Sequence, residues 1–298
     1  MGSTANNCKA MNTRRILLVI LGGFPGLAAV HADSTIDTVD RYSYGANIGW
    51  VNWKHDPSAP EGASLEPYLL RGRIYAANVG WIDLGDGVPD DGVFYSHTNG
   101  DWGVNHDGTG GLSGWAYGAN IGWVRFDQGW KSPPRVDMKT GAMSGYAYGA
   151  NVGWIGLDGL TTGVDEGTDS DGDGIADAWE FEMLADAGLT ADLGIMDATS
   201  DSDGDGTSDL DEYAADTNPF DPGDWFRITS FVPDFTTSDV DLAWTHSPRR
   251  VYSVHSSTDL VTFVLEEDGI LAGSTTLSMG SLPARLFFQV ESGIPLAP

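Results

Sequence analysis

The stretch Tyr44-Gly45-Ala46-Asn47-Ile48-Gly49-Trp50-Val51 recurs three more times in the first half of this chain. The other copies begin at Tyr75, Tyr117 and Tyr148 and differ from it only by Gly/Ala and Ile/Val exchanges. The four tyrosines are separated by 31, 42 and 31 residues, so the copies form a duplicated pair. A motif repeated at such spacing predicts one structural unit per copy, with neighbouring units packed on one another.

Each copy has the pattern of a β-hairpin. In the fourth copy, β-prone residues on both sides flank a Gly-Ala-Asn corner, which favours a tight turn. Glycines interrupt every apolar run between residues 33 and 163 before a helical period is established. We therefore predict an all-β domain over residues 33–163. The spacing alone leaves open whether this domain is a sandwich or a compact repeat array.

The composition changes twice after this region. Residues 164–224 contain 20 acidic side chains and no Lys or Arg, which marks a separate module. From residue 225 onward short alternating apolar runs return, separated by Ser, Thr, Gly and Pro, and these predict a small C-terminal β-sandwich over residues 225–298. The expected fold is therefore mainly β, with an aromatic β-repeat domain and a C-terminal β-sandwich joined by a small loop-helix module.

Two twelve-residue stretches of the acidic module, residues 169–180 and 201–212, share one spacing. Each has Asp at positions 1, 3, 5 and 9, Gly at position 6 and Glu at position 12. This is the pattern of the EF-hand calcium loop. Calcium takes about six to eight oxygen ligands, and alternating Asp side chains bring three carboxylates around one point while the glycine permits the sharp turn.

The pattern assigns a role to each position. The residue at position 7 contributes its backbone carbonyl, position 9 acts through water, and the final Glu binds with both oxygens. The predicted metal ligands are Asp169, Asp171, Asp173, Ile175, Asp177 and Glu180 in the first loop, and Asp201, Asp203, Asp205, Thr207, Asp209 and Glu212 in the second. We expect about two calcium sites. Magnesium is less favoured, because it requires a rigid octahedron and keeps its waters.

A solvated Asp/Gly-rich linker is the alternative interpretation of this module, but it does not explain why two loops have the same ligand residues at the same positions.

Each loop runs into a predicted short helix, the first ended by Gly188 and the second near Asn218 and Pro219, and their apolar faces should pack together. Without metal so many carboxylates repel one another. We therefore expect calcium to order this module.

The two loop-helix pairs, with the following Asp211-Glu-Tyr-Ala-Ala-Asp-Thr-Asn-Pro-Phe-Asp-Pro222, resemble the thrombospondin type 3-like and dockerin-like calcium repeats of exported bacterial proteins. The resemblance covers about residues 165–223 and implies the same Asp and Glu ligands. The Tyr-Gly-Ala-Asn-x-Gly-Trp repeats and the C-terminal region are similar to modules that accompany such repeats in large bacterial surface proteins. That likeness implies no activity.

The N-terminal residues have the features of a secretory signal peptide. Basic residues Arg14 and Arg15 precede an apolar run over residues 16–27, and Val30-His31-Ala32 supplies small residues for cleavage after Ala32. The run is shorter than the roughly 20 apolar residues of a spanning helix, so we expect residues 1–32 to be removed and the protein not to be membrane-embedded. The n-region fits best when it is counted from Met11, which suggests a start codon assigned too early. The expected location is extracellular or at the cell surface.

Charge and cysteine content narrow the choice of partners. The 298 residues carry 15 basic and 43 acidic side chains, a formal charge of −28, which disfavours binding to nucleic acid. The single cysteine, Cys8, precedes the cleavage point, so the processed chain forms no disulfide. The expected partners are calcium and a polysaccharide or a cell-surface protein.

The tryptophans allow two interpretations. Those at the repeat position, Trp50, Trp81, Trp123 and Trp154, stand beside Val or Ile, and we expect them to form the core of the repeat domain. Four others depart from the repeat register and are expected to be more exposed: Trp53, Trp102, Trp115 and Trp130. If a glycan site exists, the sequence places it on this second set.

No nucleophile-elbow, zinc-protease or phosphate-loop motif occurs in the chain. We therefore interpret the sequence as an exported, non-catalytic calcium-binding protein in which calcium rigidifies a spacer between two β domains. A glycan-binding or adhesion module is the first alternative. A hydrolase with an unrecognised site is the second, since acid-base catalysis needs two carboxyls in a shaped cleft and the sequence gives no sign of one.

Overall fold

The computed structural model describes residues 34–54, 62–283 and 285–297. The predicted signal peptide, residues 1–32, lies outside this part of the chain. Within the described residues the fold is mainly β, as predicted, with nineteen strands and two α-helices.

The repeat domain contains thirteen of the strands. They are β1 (Ile36–Gly45), β2 (Gly49–Asn52), β3 (Ser64–Leu65), β4 (Leu69–Ala76), β5 (Gly80–Gly85), β6 (Val104–His106), β7 (Leu112–Gly118), β8 (Gly122–Phe126), β9 (Arg135–Val136), β10 (Met143–Ser144), β11 (Tyr146–Gly149), β12 (Gly153–Gly156) and β13 (Leu160–Thr162). The four motif copies form the antiparallel hairpins β1–β2, β4–β5, β7–β8 and β11–β12.

The four hairpins close into a ring. β2 pairs with β4, β5 with β7 and β8 with β11. β12 then pairs back with β1, so each of the eight strands has a partner on both sides. The choice that the sequence left open between a sandwich and a repeat array is therefore settled in favour of a closed array.

The turn of each hairpin depends on the glycine that precedes the tryptophan. Gly49, Gly80, Gly122 and Gly153 have φ values of 78°, 84°, 73° and 75°. This left-handed region strongly favours glycine, because a Cβ would crowd the following carbonyl. One residue earlier, the N–H of Ile48 donates to the carbonyl of Gly45 at 3.1 Å and closes the turn.

The asparagine of each copy links its hairpin to the neighbouring one. The four Nδ2 amides donate to the carbonyl oxygens that precede the turn glycines: Asn47 to Val152 (3.0 Å), Asn78 to Ile48 (3.1 Å), Asn120 to Val79 (2.9 Å) and Asn151 to Ile121 (3.0 Å). Since the first copy binds the fourth, the bonds form a complete cycle. The motif asparagine thus connects neighbouring hairpins.

The inside of the ring is filled by the residues that follow the tryptophans. Val51, Ile82, Val124 and Ile155 are buried in one cluster with aliphatic residues of the opposing strands. Because side chains alternate between the two faces of a strand, the preceding tryptophans point outward. An eight-stranded ring has an interior just wide enough for packed side chains, and short β-branched residues fit there better than four indoles.

The predicted positions of the tryptophans were therefore wrong in part. Trp50, Trp81, Trp123 and Trp154, expected in the core, are 65%, 38%, 46% and 51% exposed on the outer face. Trp53, expected to be exposed, is 1% exposed, and its Nε1 donates to Oγ of Ser43 at 2.8 Å. The other three, Trp102, Trp115 and Trp130, are half-buried.

The C-terminal domain is a small β-sandwich, as predicted. Its strands are β14 (Ile228–Asp234), β15 (Asp239–Trp244), β16 (Val251–Ser257), β17 (Val264–Ile270), β18 (Ser274–Ser278) and β19 (Phe287–Gly293). They form two three-stranded antiparallel sheets, β14-β15-β18 and β17-β16-β19. The sheets share one core, in which Trp244 packs against Tyr252 with ring centroids 5.6 Å apart.

The acidic module contains both helices, α1 (Asp177–Asp186) and α2 (Asp209–Ala215). Trp179 of α1 and Tyr213 of α2 meet edge to face at 5.2 Å, so the helices pack through their apolar faces. Tyr68 and Val93 of the repeat domain belong to the same apolar cluster. The module is thereby packed onto the repeat domain.

The C-terminal sandwich also contacts the repeat domain directly. The guanidinium of Arg249 lies 5.0 Å from the ring centroid of Tyr68, and Ile294 and Leu296 pack against the core of the repeat domain. The expectation of a spacer that separates the two β domains therefore needs correction. The acidic module lies beside both domains and contacts each of them.

The left-handed turn glycines give a stability prediction. Gly49→Ala should lower the free energy of unfolding by about 1–2 kcal/mol, because alanine is less stable than glycine in the left-handed backbone conformation. The matched control is Gly156→Ala on β12, where φ is not left-handed and a new Cβ would find its nearest neighbour at 3.5 Å. Urea denaturation followed by tryptophan fluorescence measures both variants. Equal losses of stability would contradict this account of the turn.

Candidate metal centre

Each acidic loop leads into one helix and brings three carboxylates together. Asp169, Asp171 and Asp173 offer oxygen atoms that lie within 4.8 Å of one another. The corresponding residues of the second loop do the same: Asp201, Asp203 and Asp205. The structure thus forms two acidic groups that could hold a metal ion.

Backbone amides fix the first carboxylate of each loop. Asp169 accepts hydrogen bonds from the N–H groups of Gly172 (2.7 Å) and Gly174 (3.0 Å). The second loop repeats this arrangement with Asp201, whose oxygens each accept from a glycine amide at 2.9 Å. Gly174, at position 6 of its loop, has φ of 96°, the left-handed conformation that the pattern predicts.

The glutamates at position 12 carry the strongest evidence. Glu180 and Glu212 are 0% exposed, on the helices that follow the loops. Both carboxylate oxygens of Glu180 and Oε2 of Glu212 are buried without a hydrogen-bond partner among the described residues. Oδ2 of Asp173 and of Asp203 share this condition. Buried carboxylates without a donor are costly, and a bound cation removes that cost.

The electrostatics agree with the geometry. Burial raises the pKa of Glu180 and of Glu212 to about 8 each, and repulsion from the loop aspartates adds to the shift. Burial also raises the pKa of Asp173 and of Asp203. Each loop therefore concentrates carboxylates that, within the described ranges, no basic side chain pairs with. A divalent cation would supply the missing positive charge.

Asp177 and Asp209 stabilise the loops through hydrogen bonds to a serine of the same loop. Oδ1 of Asp177 accepts from the N–H of Ser170 at 2.7 Å, and Oδ1 of Asp209 accepts from the N–H of Ser202 at 2.9 Å. Their second oxygens accept from the hydroxyls of the same serines. The water-mediated contact expected of these residues stays a prediction, as do the backbone ligands Ile175 and Thr207.

Sequence analysis missed the contacts that tie the module to both β domains. Glu182 of α1 accepts hydrogen bonds from the Tyr68 hydroxyl at 2.8 Å and from Nη1 and Nη2 of Arg249. The next residue, Arg250, is buried and donates to the carbonyls of Tyr213 and Ala214 at the end of α2. The adjacent arginines in so acidic a chain were the one available signal.

No family model, curated protein or solved structure matches this chain. The resemblance to calcium repeats therefore stays a prediction, and the functional argument rests on the geometry. In the part of the chain that the structure describes, no helix combines the length and apolar character needed to cross a membrane.

The raised glutamate pKa values predict how the metal-free protein responds to pH. A carboxyl with a pKa near 8 in the folded state, above its ordinary 4.5, stabilises the fold fully below about pH 4.5 and loses that contribution as pH rises through 8. In chelator, the parent protein should therefore lose thermal stability between about pH 5.5 and 8.5 relative to the double variant Glu180→Gln, Glu212→Gln. Melting curves of both proteins at the two pH values measure the difference. A pH-independent difference would argue against buried, uncompensated glutamates.

Proposed function

We propose that this protein is an exported calcium-binding protein with a structural or interaction role, and that it binds about two Ca²⁺ ions. The observation that carries the proposal is the pair of buried glutamates beside converging aspartates: both carboxylate oxygens of Glu180 and Oε2 of Glu212 lack a hydrogen-bond donor among the described residues. All candidate ligand atoms are oxygens. Flexible, carboxylate-rich loops suit calcium better than magnesium.

The ligands proposed for each ion follow the loop positions. Three aspartates and the final glutamate supply carboxylates, the seventh residue supplies a carbonyl, and the ninth acts through water. The first ion would use residues 169, 171, 173, 175, 177 and 180, and the second would use residues 201, 203, 205, 207, 209 and 212.

Calcium would act here as a clamp that holds each helix to its loop and so stabilises the domain contacts; it would not stiffen a spacer between separated domains. Glu180 belongs to α1 and Glu212 to α2, so a bound ion would fix each helix to its own loop. α1 then presents Glu182 to Tyr68 and Arg249, and α2 presents its last carbonyls to Arg250. Through these contacts, the metal would stabilise the docking of both β domains.

The proposed location is outside the cell or at its surface. The sequence supports it through the signal-peptide pattern over residues 1–32. Calcium loops of extracellular modules bind with dissociation constants of about 10⁻⁴–10⁻³ M, which suits calcium levels outside the cell. The proposal assigns no reaction to the protein.

Removal of one position-12 glutamate should abolish one site. Glu180→Gln and Glu212→Gln each remove a negative charge and one of the bidentate oxygens, so each variant should bind about one ion where the parent binds about two. Calorimetric titration of calcium into chelator-stripped protein, with magnesium as the competing ion, measures the stoichiometry. Asp186→Asn, an exposed carboxylate at the end of α1, is the matched control and should bind like the parent. Unchanged stoichiometry in both glutamate variants would overturn the ligand assignment.

Chelation should also change the protease sensitivity of the acidic module. Repulsion between uncompensated carboxylates should open residues 164–224 before either β domain, so the first cuts should fall there. Limited proteolysis with and without chelator, with the fragments mapped by mass spectrometry, tests this. Identical fragment patterns in both conditions would count against the clamp while leaving calcium binding intact.

A further inference from the structure

The outer face of the ring carries a regular set of exposed aromatic pairs. In each hairpin the tyrosine and tryptophan of the motif lie directly opposite each other on the two strands: Tyr44 with Trp50, Tyr75 with Trp81, Tyr117 with Trp123 and Tyr148 with Trp154. Their ring centroids are 4.9–5.2 Å apart, at interplanar angles of 58–67°. The tyrosine meets the tryptophan edge to face in three pairs and at a tilt in the fourth, and 38–65% of each tryptophan remains exposed.

Additional tryptophans surround the aromatic pairs of the third and fourth hairpins. Trp102 approaches Trp123 with centroids 5.2 Å apart, and Trp115 lies 6.3 Å from the same ring. Trp130 packs edge-on against Trp154 at 4.9 Å. These half-buried neighbours hold the repeat tryptophans in fixed orientations while leaving about half of each exposed.

A polar side chain lies beside most of the aromatic pairs, at the junctions between neighbouring hairpins. At three of the four junctions between hairpins, the tyrosine of one hairpin lies across from a polar residue of the previous one: Tyr75 from Asn52, Tyr117 from Asp83 and Tyr148 from Arg125. Such cross-strand neighbours have Cβ atoms about 4.5–5.5 Å apart. At the fourth junction Tyr44 lies across from Gly156. Flat aromatic surfaces thus alternate with planar hydrogen-bonding groups.

We propose that this outer aromatic face is a docking surface for a neutral polysaccharide of β-linked pyranose units. The axial C–H groups of such sugars form flat, weakly positive faces, which complement the negative faces of indole rings. Amide, carboxylate and guanidinium groups beside the rings can bond the equatorial hydroxyls. Four platforms around the ring give one molecule several sites at which a repeating polymer can bind, and such multivalent binding raises avidity.

Charge selects against acidic polymers. With a formal charge of −28, the chain repels polyanionic glycans over long distances. The ring itself carries ion pairs of mixed sign, such as Arg73 with Asp83 at 3.2 Å and Arg125 with Asp127 at 2.6 Å. An uncharged polymer is therefore the polysaccharide that this surface favours.

The surface is independent of the calcium sites, because its aromatic pairs all come from the ring strands β1 to β12. It also differs from the glycan site that the sequence placed on the non-repeat tryptophans. The platforms are the repeat tryptophans, and three of the others, Trp102, Trp115 and Trp130, contact two of these platforms from the side.

Native affinity electrophoresis of the full processed chain in calcium tests the proposal. The gels contain hydroxyethylcellulose, a soluble β-1,3-glucan or a galactomannan as neutral probes, and polygalacturonate as the acidic probe. At least one neutral polymer should retard the parent protein, and polygalacturonate should not. Replacing Trp50, Trp81, Trp123 and Trp154 together by alanine should weaken retardation by about tenfold or more. Asn52→Ala should weaken it by a smaller factor.

Phe235→Ala is the matched control, since this phenylalanine is 80% exposed outside the ring. Circular dichroism and calcium stoichiometry show whether each variant is folded. For the parent protein, a shift of tryptophan fluorescence on addition of the neutral polymer that retards it gives a second readout, which needs no variant. Absence of retardation in all three neutral gels, or equal retardation of the parent and the fourfold variant, would overturn the proposal. A dimer seen by analytical ultracentrifugation and abolished by the four substitutions, without retardation, would assign the face to self-association instead.

Discussion

Four asparagine side chains, each bonded to a backbone carbonyl of the neighbouring hairpin, form the cycle on which the repeat domain depends. A single hairpin is marginally stable in water, because it buries one face at most. The cycle holds four hairpins at one end of the ring, and the strand pairings between neighbours complete the closure. Closure then gives every hairpin strand two partners and one common interior.

That interior determines the distribution of side chains. It is filled by short aliphatic residues such as Val51 and Ile82, so strand alternation turns the adjacent tryptophans outward. The alternation of side chains along each strand therefore places the aliphatic residues in the core and the tryptophans on the outer face. Stability of the ring and the proposed recognition of polysaccharide arise from opposite faces of the same strands, so the outer face can be changed with little effect on the core.

Charge interactions, and not a packed interior shared between strands, distinguish the acidic module from the ring. The loops of the module bring together carboxylates that form no ion pair with a basic side chain among the described residues, while arginines of the sandwich contact the helices elsewhere. Glu182 and the carbonyls at the end of α2 bind Arg249 and Arg250. Positive charge from the described residues is thus used at the domain contacts, and the proposed cations would neutralise the loops. This division explains why binding of metal and docking of domains would be coupled through two short helices.

The sequence by itself determined the hairpins, the sandwich, the loop-helix pattern and the two aspartate groups that could hold a metal ion, because these depend on local spacing: Gly49 before Trp50, or Gly174 between Asp173 and Ile175. It did not determine that the hairpins close into a ring, and hence it placed Trp50 and Trp53 on the wrong sides. Nor did it reveal that Tyr68, Glu182 and Arg249 meet, since these residues are far apart in the chain. Which face of a strand is buried, and which distant charges pair, depends on closure and docking, and only the tertiary structure decided these.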